Sequence, residues 1–181
     1  MVMIPTILDV MSKAAETTFG RPLITNVFRG HIVEAIVAYA LEPVWRWCAE
    51  DYSAWDFERG DGLRLEVKQS AARQSWATTD KPSAGSFDIA ERKGRWEGAT
   101  WIESAGRAAA IYVFAHHPIA DMTADHRDPM QWRFFVIPTN ALPARQRLSL
   151  TQARRLTDER TFQELSAAVH HVAESLQEFQ D

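Results

Sequence analysis

The 181 residues are 46% apolar and 24% charged, with a net charge of −4. That balance suits a water-soluble core and leads us to expect one domain over residues 1–181. It excludes binding to a polyanion through bulk charge, so any contact with nucleic acid must rest on a local basic surface or on bound metal. The one cysteine, Cys48, excludes an internal disulfide framework and points to a reducing, cytoplasmic setting. The N-terminus lacks a leader pattern, and no apolar run nears the roughly 20 residues that cross a bilayer, so no membrane partner is expected.

In chain order, Met3, Ile4, Ile7, Leu8, Met11 and Ala14 recur at helical spacing, which predicts a short N-terminal helix broken between Thr18 and Pro22. A second helix is predicted over Asn26–Leu41, capped at Thr25 or Asn26 and ended before Pro43. It is apolar almost all round, so most of it should be buried. Glu34 is the exception, sharing its face with Gly30 and Ala38. Such a glutamate either reaches out to solvent, pairs with an arginine, or points its carboxylate at a site. Trp45, Trp47, Tyr52 and Trp55 form an aromatic cluster leading into a first strand, Tyr52–Glu58.

A glycine turn, Gly60-Asp61-Gly62, joins this to a second strand, Leu63–Gln69. Strand side chains alternate faces, so Arg64, Glu66 and Lys68 project to one side and Leu63, Leu65 and Val67 to the other. The three-residue turn sets Asp56 opposite Glu66 and Glu58 opposite Arg64. A register shifted by one would bury Asp56 on the face of Leu65. Opposed carboxylates repel unless a cation bridges them, and Mg2+ is held by one or two carboxylates with water completing its shell. Asp61 is the rival to Asp56. Asp56 is preferred because aspartate in a turn has purely local reasons to be there.

From Gln69 to Arg107 the chain is polar, with a third short strand expected at Ser86–Ala90. Between Arg64 and Arg95 seven basic residues face four acidic ones, interleaved with Trp76 and Trp96. This is either a nucleic-acid footprint or a solvated loop. Ala109–His116 and Trp132–Pro138 are the most strand-like runs of the second half. The loop between them gathers His116, His117, Asp121, Asp125, His126 and Asp128 in no zinc spacing. Arg147-Leu-Ser-Leu reads as a short extended piece before a basic turn at Arg154-Arg155. In the last helix Thr161 and Glu164 form a capping box, and Phe162, Leu165, Val169, Val172, Leu176 and Phe179 make a core or interface stripe.

A helix with an inward glutamate, then Asp56, then Glu66-Val67-Lys68: this order resembles the PD-(D/E)xK nuclease superfamily. The chain is also similar to bacterial restriction-endonuclease-like proteins through Thr25-Asn-Val-Phe-Arg-Gly, Asp56-Phe-Glu, Leu65-Glu-Val-Lys-Gln-Ser-Ala, Ile111-Tyr-Val-Phe-Ala and Gln131-Trp-Arg-Phe-Phe-Val-Ile-Pro-Thr. Trp55 stands where the superfamily label has proline. The resemblance implies an α/β (α+β) fold of the restriction-endonuclease-like kind. Its central mixed sheet is flanked by helices in the order helix, three antiparallel strands, helix, strand. The core would run over about 25–140, and the helical addition over 141–181 would cover the sheet.

The resemblance further implies a Mg2+-dependent endonuclease, with Mn2+ as a substitute, acting on double-stranded DNA. Asp56, Glu66 and the Val67 backbone carbonyl would hold the metal, and Lys68 would orient or deprotonate the attacking water. Glu34 would bind a second metal or its water, and Gln69 would position that water. Arg73 and Lys81 are candidates for backbone phosphates. The terminal helix offers a homodimer surface. Two other readings stay open: a non-catalytic nucleic-acid-binding protein on the same fold, and a metal-dependent hydrolase of a smaller phosphate ester.

Overall fold

The computed structural model describes residues 3–48, 53–79, 81–97 and 99–178. Tyr52 and Phe179 therefore lie outside the described residues. Helix α1 (Ile7–Phe19) starts where Thr6 and Asp9 cap each other reciprocally. Helix α2 (Asn26–Leu41) follows with Thr25 as its N-cap. Val33, Ile36, Val37, Ala38 and Leu41 are its buried face, while Val27, Phe28 and Tyr39 are exposed. An all-apolar helix covered on one side only explains why it is less buried than its composition predicts.

The chain then lays down β1 (Trp45–Trp47), β2 (Phe57–Arg59) and β3 (Arg64–Ala71) as an antiparallel meander. The pairs Phe57↔Leu65 and Glu58↔Arg64 give the predicted register, and Gly62 takes φ +83° in the turn, as that turn requires. The three antiparallel strands are thus β1, β2 and β3. The expected third strand, β4 (Ser86–Asp88), pairs instead with β9 (Arg147–Ser149) in a separate two-stranded sheet. Trp45 and Trp47 make a strand of their own, and β2 is shorter than the run predicted from Tyr52.

After β4 comes a hairpin, β5 (Arg92–Glu97) and β6 (Thr100–Gly106). This corrects the helix expected before the fourth core strand. Strand β7 (Ile111–His117) then runs parallel to β3 and antiparallel to β8 (Arg133–Pro138), which closes a mixed five-stranded sheet ordered β1-β2-β3-β7-β8. β9 leads into α3 (Leu150–Leu156), whose last turn carries Arg154 and Arg155 where a basic turn was expected. Basic side chains there suit the negative end of the helix. Helix α4 (Phe162–Glu178) ends the described chain.

The molecule is α+β, a central mixed sheet flanked by helices. One face carries Leu65, Val67, Ile111, Val113, Phe134 and Val136 against α2 and α4. The other carries Tyr112, Phe114, Phe135 and Ile137 against Phe87, Ile89, Leu148 and Ala153. Leu165 and Val169 of α4 are wholly enclosed, each gaining about 1.5–3 kcal/mol from burial. Those residues of the terminal helix are spent on the core and do not serve a dimer surface.

Candidate active site

The site forms where β2 stops. Strand β3 continues past Leu65 without a β2 neighbour, and the Asp56 carboxylate fills the gap by accepting from the Val67 N–H at 2.6 Å. Within a strand, residues two apart direct their backbone groups to the same edge. Leu65 accepts from the Asp56 N–H on that edge, so the Val67 carbonyl points beside the Asp56 carboxylate. Glu66 and Lys68 share the opposite side-chain face from Leu65 and Val67, and the Lys68 ammonium contacts the Glu66 carboxylate directly. Glu34 arrives from α2, its carboxylate accepting from Trp47 Nε1 at 3.2 Å with His31 Nδ1 3.8 Å away.

The electrostatics are those of half-buried acids held together. Burial, then the charges of Glu66 and Glu34, push the Asp56 carboxyl up to about 8, against the pull of the Val67 N–H and Lys68. Burial also raises Glu66, and Lys68 offsets only part of this. Burial works against the Lys68 charge, but Glu66 and Asp56 hold its ammonium above the usual range. Tyr112 lies beside Glu66 in the parallel register, and burial followed by the Glu66 charge keeps its hydroxyl protonated up to about 12. Asp61 is the counter-case. Arg59 grips it through two bonds, at 3.0 and 2.6 Å, and its carboxyl falls to about 2, remote from this cluster.

Hard oxygen donors crowded at a half-buried point are of the kind that suits Mg2+ or Mn2+. The oxygens at this point are the carboxylates of Asp56 and Glu66 and the Val67 carbonyl. Among the described residues, no group of three or more His, Cys, Asp or Glu is placed to hold a metal ion. A cavity of about 360 Å3 opens over Glu66, Lys68 and Tyr112, walled by Asp88, Arg92 and the β5–β6 hairpin. Asp56 and Glu34 do not line it.

The other predicted residues stand elsewhere. Gln69 faces the α2 side, where its amide oxygen accepts from Arg29 Nε at 2.7 Å and its nitrogen donates to Asn26. Arg73 is 8% exposed and donates to the Ala120 carbonyl at 2.8 Å, so it is a structural arginine and not a surface contact. Lys81 is exposed in the loop before β4 and does not line the cavity.

The His/Asp loop is a clamp. His126 Nδ1 accepts from the Ile24 N–H at 3.0 Å and Nε2 pairs with the Arg73 carbonyl at 3.1 Å. His117 Nε2 meets the Asp125 carbonyl and Gln131. Sequence reasoning missed Tyr112, Asp88 and the hairpin. The signal for Tyr112 was a hydroxyl on an otherwise apolar strand, readable only once β7 is placed beside β3.

No family model matches the chain, and no curated protein matches it. Among solved structures, the bacterial homing endonuclease I-Ssp6803I superposes over 86% of this chain and 98% of its own, at 14% identity and a TM-score of 0.45. Among the described residues, no helix is long and apolar enough to cross a membrane.

Proposed function

We propose that this chain is a cytoplasmic metal-dependent endonuclease of the PD-(D/E)xK type, hydrolysing phosphodiester bonds of DNA. The observation that carries the reading is the cluster where β2 stops: Asp56 on the Val67 N–H, Glu66 beside it, and Lys68 in contact with Glu66 on the cavity floor. Asp56, Glu66 and the Val67 carbonyl would hold Mg2+, with Glu34 supporting a second ion or a water. When bound, the ion supplies a Lewis acid for the phosphate and lowers the pKa of the attacking water.

The protein's own groups do the rest. Lys68 stays an ammonium beside Glu66 and Asp56, so its part is to orient the water by donating to it and to offset charge growing on the phosphate. Tyr112, held protonated, offers an O–H donor next to Glu66. Glu34, oriented by Trp47, places a carboxylate behind the pair.

The cavity is on the scale of a small-molecule site, which favours a smaller phosphate ester as the second reading. One experiment separates these readings: the purified chain incubated with plasmid, linear duplex, single-stranded DNA and p-nitrophenyl phosphate, with Mg2+ and with EDTA. Mg2+-dependent cleavage of DNA is expected. Hydrolysis of the small ester alone would replace the nuclease reading, and DNA binding without cleavage in Mg2+ or Mn2+ would leave a non-catalytic binder.

A further inference from the structure

The β5–β6 arm takes no part in either core cluster, yet it carries two tryptophans. Trp96 and Trp101 face each other across the ladder with ring centroids 5.4 Å apart at 65°. They are 44% and 47% exposed, and both line the cavity whose floor holds Glu66 and Lys68. The arrangement is built. A Cβ at Gly94 would lie 2.6 Å from the Trp101 ring and 2.5 Å from the Ile102 carbonyl oxygen, so only glycine lets the Trp101 indole lie against the β5 backbone. At the foot of the arm Arg107 donates to the Ile89 and Pro143 carbonyls at 2.8 Å each, tying the hairpin to the body.

Two aromatic faces beside a site for a phosphate describe the two halves of a nucleotide. A base in a continuous duplex has both faces stacked on neighbours and its edge paired, so it has no face to give. An unpaired base does, and stacking tolerates any base because each has a π-face. With the rings at 65° the two indoles form a corner, in which a base lies flat on one and meets the other edge-on. A cavity of about 360 Å3 takes a group of small-molecule size and not a double helix.

We infer that Trp96 and Trp101 form a stacking site for one unpaired nucleobase next to the scissile phosphate. The preferred DNA then carries a single-stranded segment or an extruded base at the point of cleavage. This rests on the nuclease reading and narrows its substrate.

The test measures binding by fluorescence anisotropy in EDTA, where hydrolysis does not compete. The probes are a labelled oligothymidylate, a blunt duplex, and the same duplex interrupted by a single-strand gap. The wild-type chain binds the oligothymidylate and the gapped duplex about 10-fold more tightly than the blunt duplex, the scale of one base–aromatic stack. Trp96→Ala with Trp101→Ala removes that preference and leaves blunt-duplex binding unchanged, while the paired Phe substitutions keep it. If the alanine pair melts early, Trp96→Leu with Trp101→Leu, apolar but without a π-face, decides in its place.

Equal binding of the three probes by the wild type, binding of none, or unchanged oligothymidylate binding in the alanine pair would overturn the inference. Cleavage in Mg2+ is scored separately. Tryptophan-dependent binding without cleavage would remove the nuclease reading and leave the stacking site. Cleavage with tryptophan-independent binding would do the opposite.

Discussion

Two clusters of titratable groups, one buried and one half-buried, flank the ends of β3, and they are built on opposite terms. At the histidine clamp, His117 and His126 pack ring to ring with Trp132, and backbone carbonyls, a backbone N–H and an amide supply their partners. No charge is needed there, and burial pushes His126 down to about 4. At the carboxylate cluster, burial and the charges of Glu66 and Glu34 raise the Asp56 carboxyl, burial and the Glu34 charge raise Glu66, and Lys68 stands against them. Both ring nitrogens of His126 and Nε2 of His117 find partners within the chain, while His117 Nδ1 is buried without a hydrogen-bond partner among the described residues. The second cluster crowds like charges that protons or a cation would relieve, and its Glu66 and Lys68 border a cavity. Polar groups bonded within the chain serve the fold, whereas like charges crowded beside a cavity mark a candidate ligand site.

The largest effect that would break this comparison is on stability at the clamp. His126→Leu strips partners from the buried Ile24 N–H and the Arg73 carbonyl, and should cost about 2–4 kcal/mol in urea unfolding. Cleavage per folded molecule should be retained. A loss of cleavage with unchanged stability would make the clamp part of the site.

The second effect is a difference in sign with pH. His126 has a folded pKa below its unfolded value of 6.5. The unfolded chain binds the extra proton, so the clamp's stability is lost as pH falls from about 6.5 to 4. Asp56 has a folded pKa of about 8 against an unfolded 3.8, so without cation the native chain binds the extra proton. Its contribution is present at low pH and lost as pH rises through that window. Thermal melting in EDTA should therefore fall on both sides of a maximum, and Mg2+ should restore the alkaline side.

Asp56→Asn, whose amide oxygen still accepts from Val67, should raise Tm in EDTA at pH 8 by a few degrees and abolish the Mg2+ response. A melting curve for this variant that still responds to Mg2+ would detach Asp56 from the metal. The smallest change belongs to Asp61→Asn. It loosens an exposed turn by no more than about 1 kcal/mol and should leave the Mg2+ response intact.

Much of the candidate site was legible because it depends on local rules. Alternation put Glu66 and Lys68 on one face, and the three-residue glycine turn fixed the register that brings Asp56 to β3. Alternation also placed Gln69 with Leu65 and Val67, away from that face, and the structure ties it to Arg29 and Asn26. What sequence could not give was non-local. β4 finds its partner at Arg147–Ser149, far along the chain. The hairpin reads as a polar loop because Arg92-Lys-Gly-Arg pairs only with its own return strand. A surface arginine and one folded under the Ala120 carbonyl look alike in sequence, and so Arg73 was misplaced.

The central claim is that the cluster where β2 ends does chemistry. Its most direct test is plasmid cleavage in Mg2+ by the wild type, Glu66→Ala and Lys68→Ala, each shown to be folded by circular dichroism and melting. The account predicts cleavage by the wild type and a loss of at least about 100-fold in each variant. Full cleavage by both folded variants would contradict it.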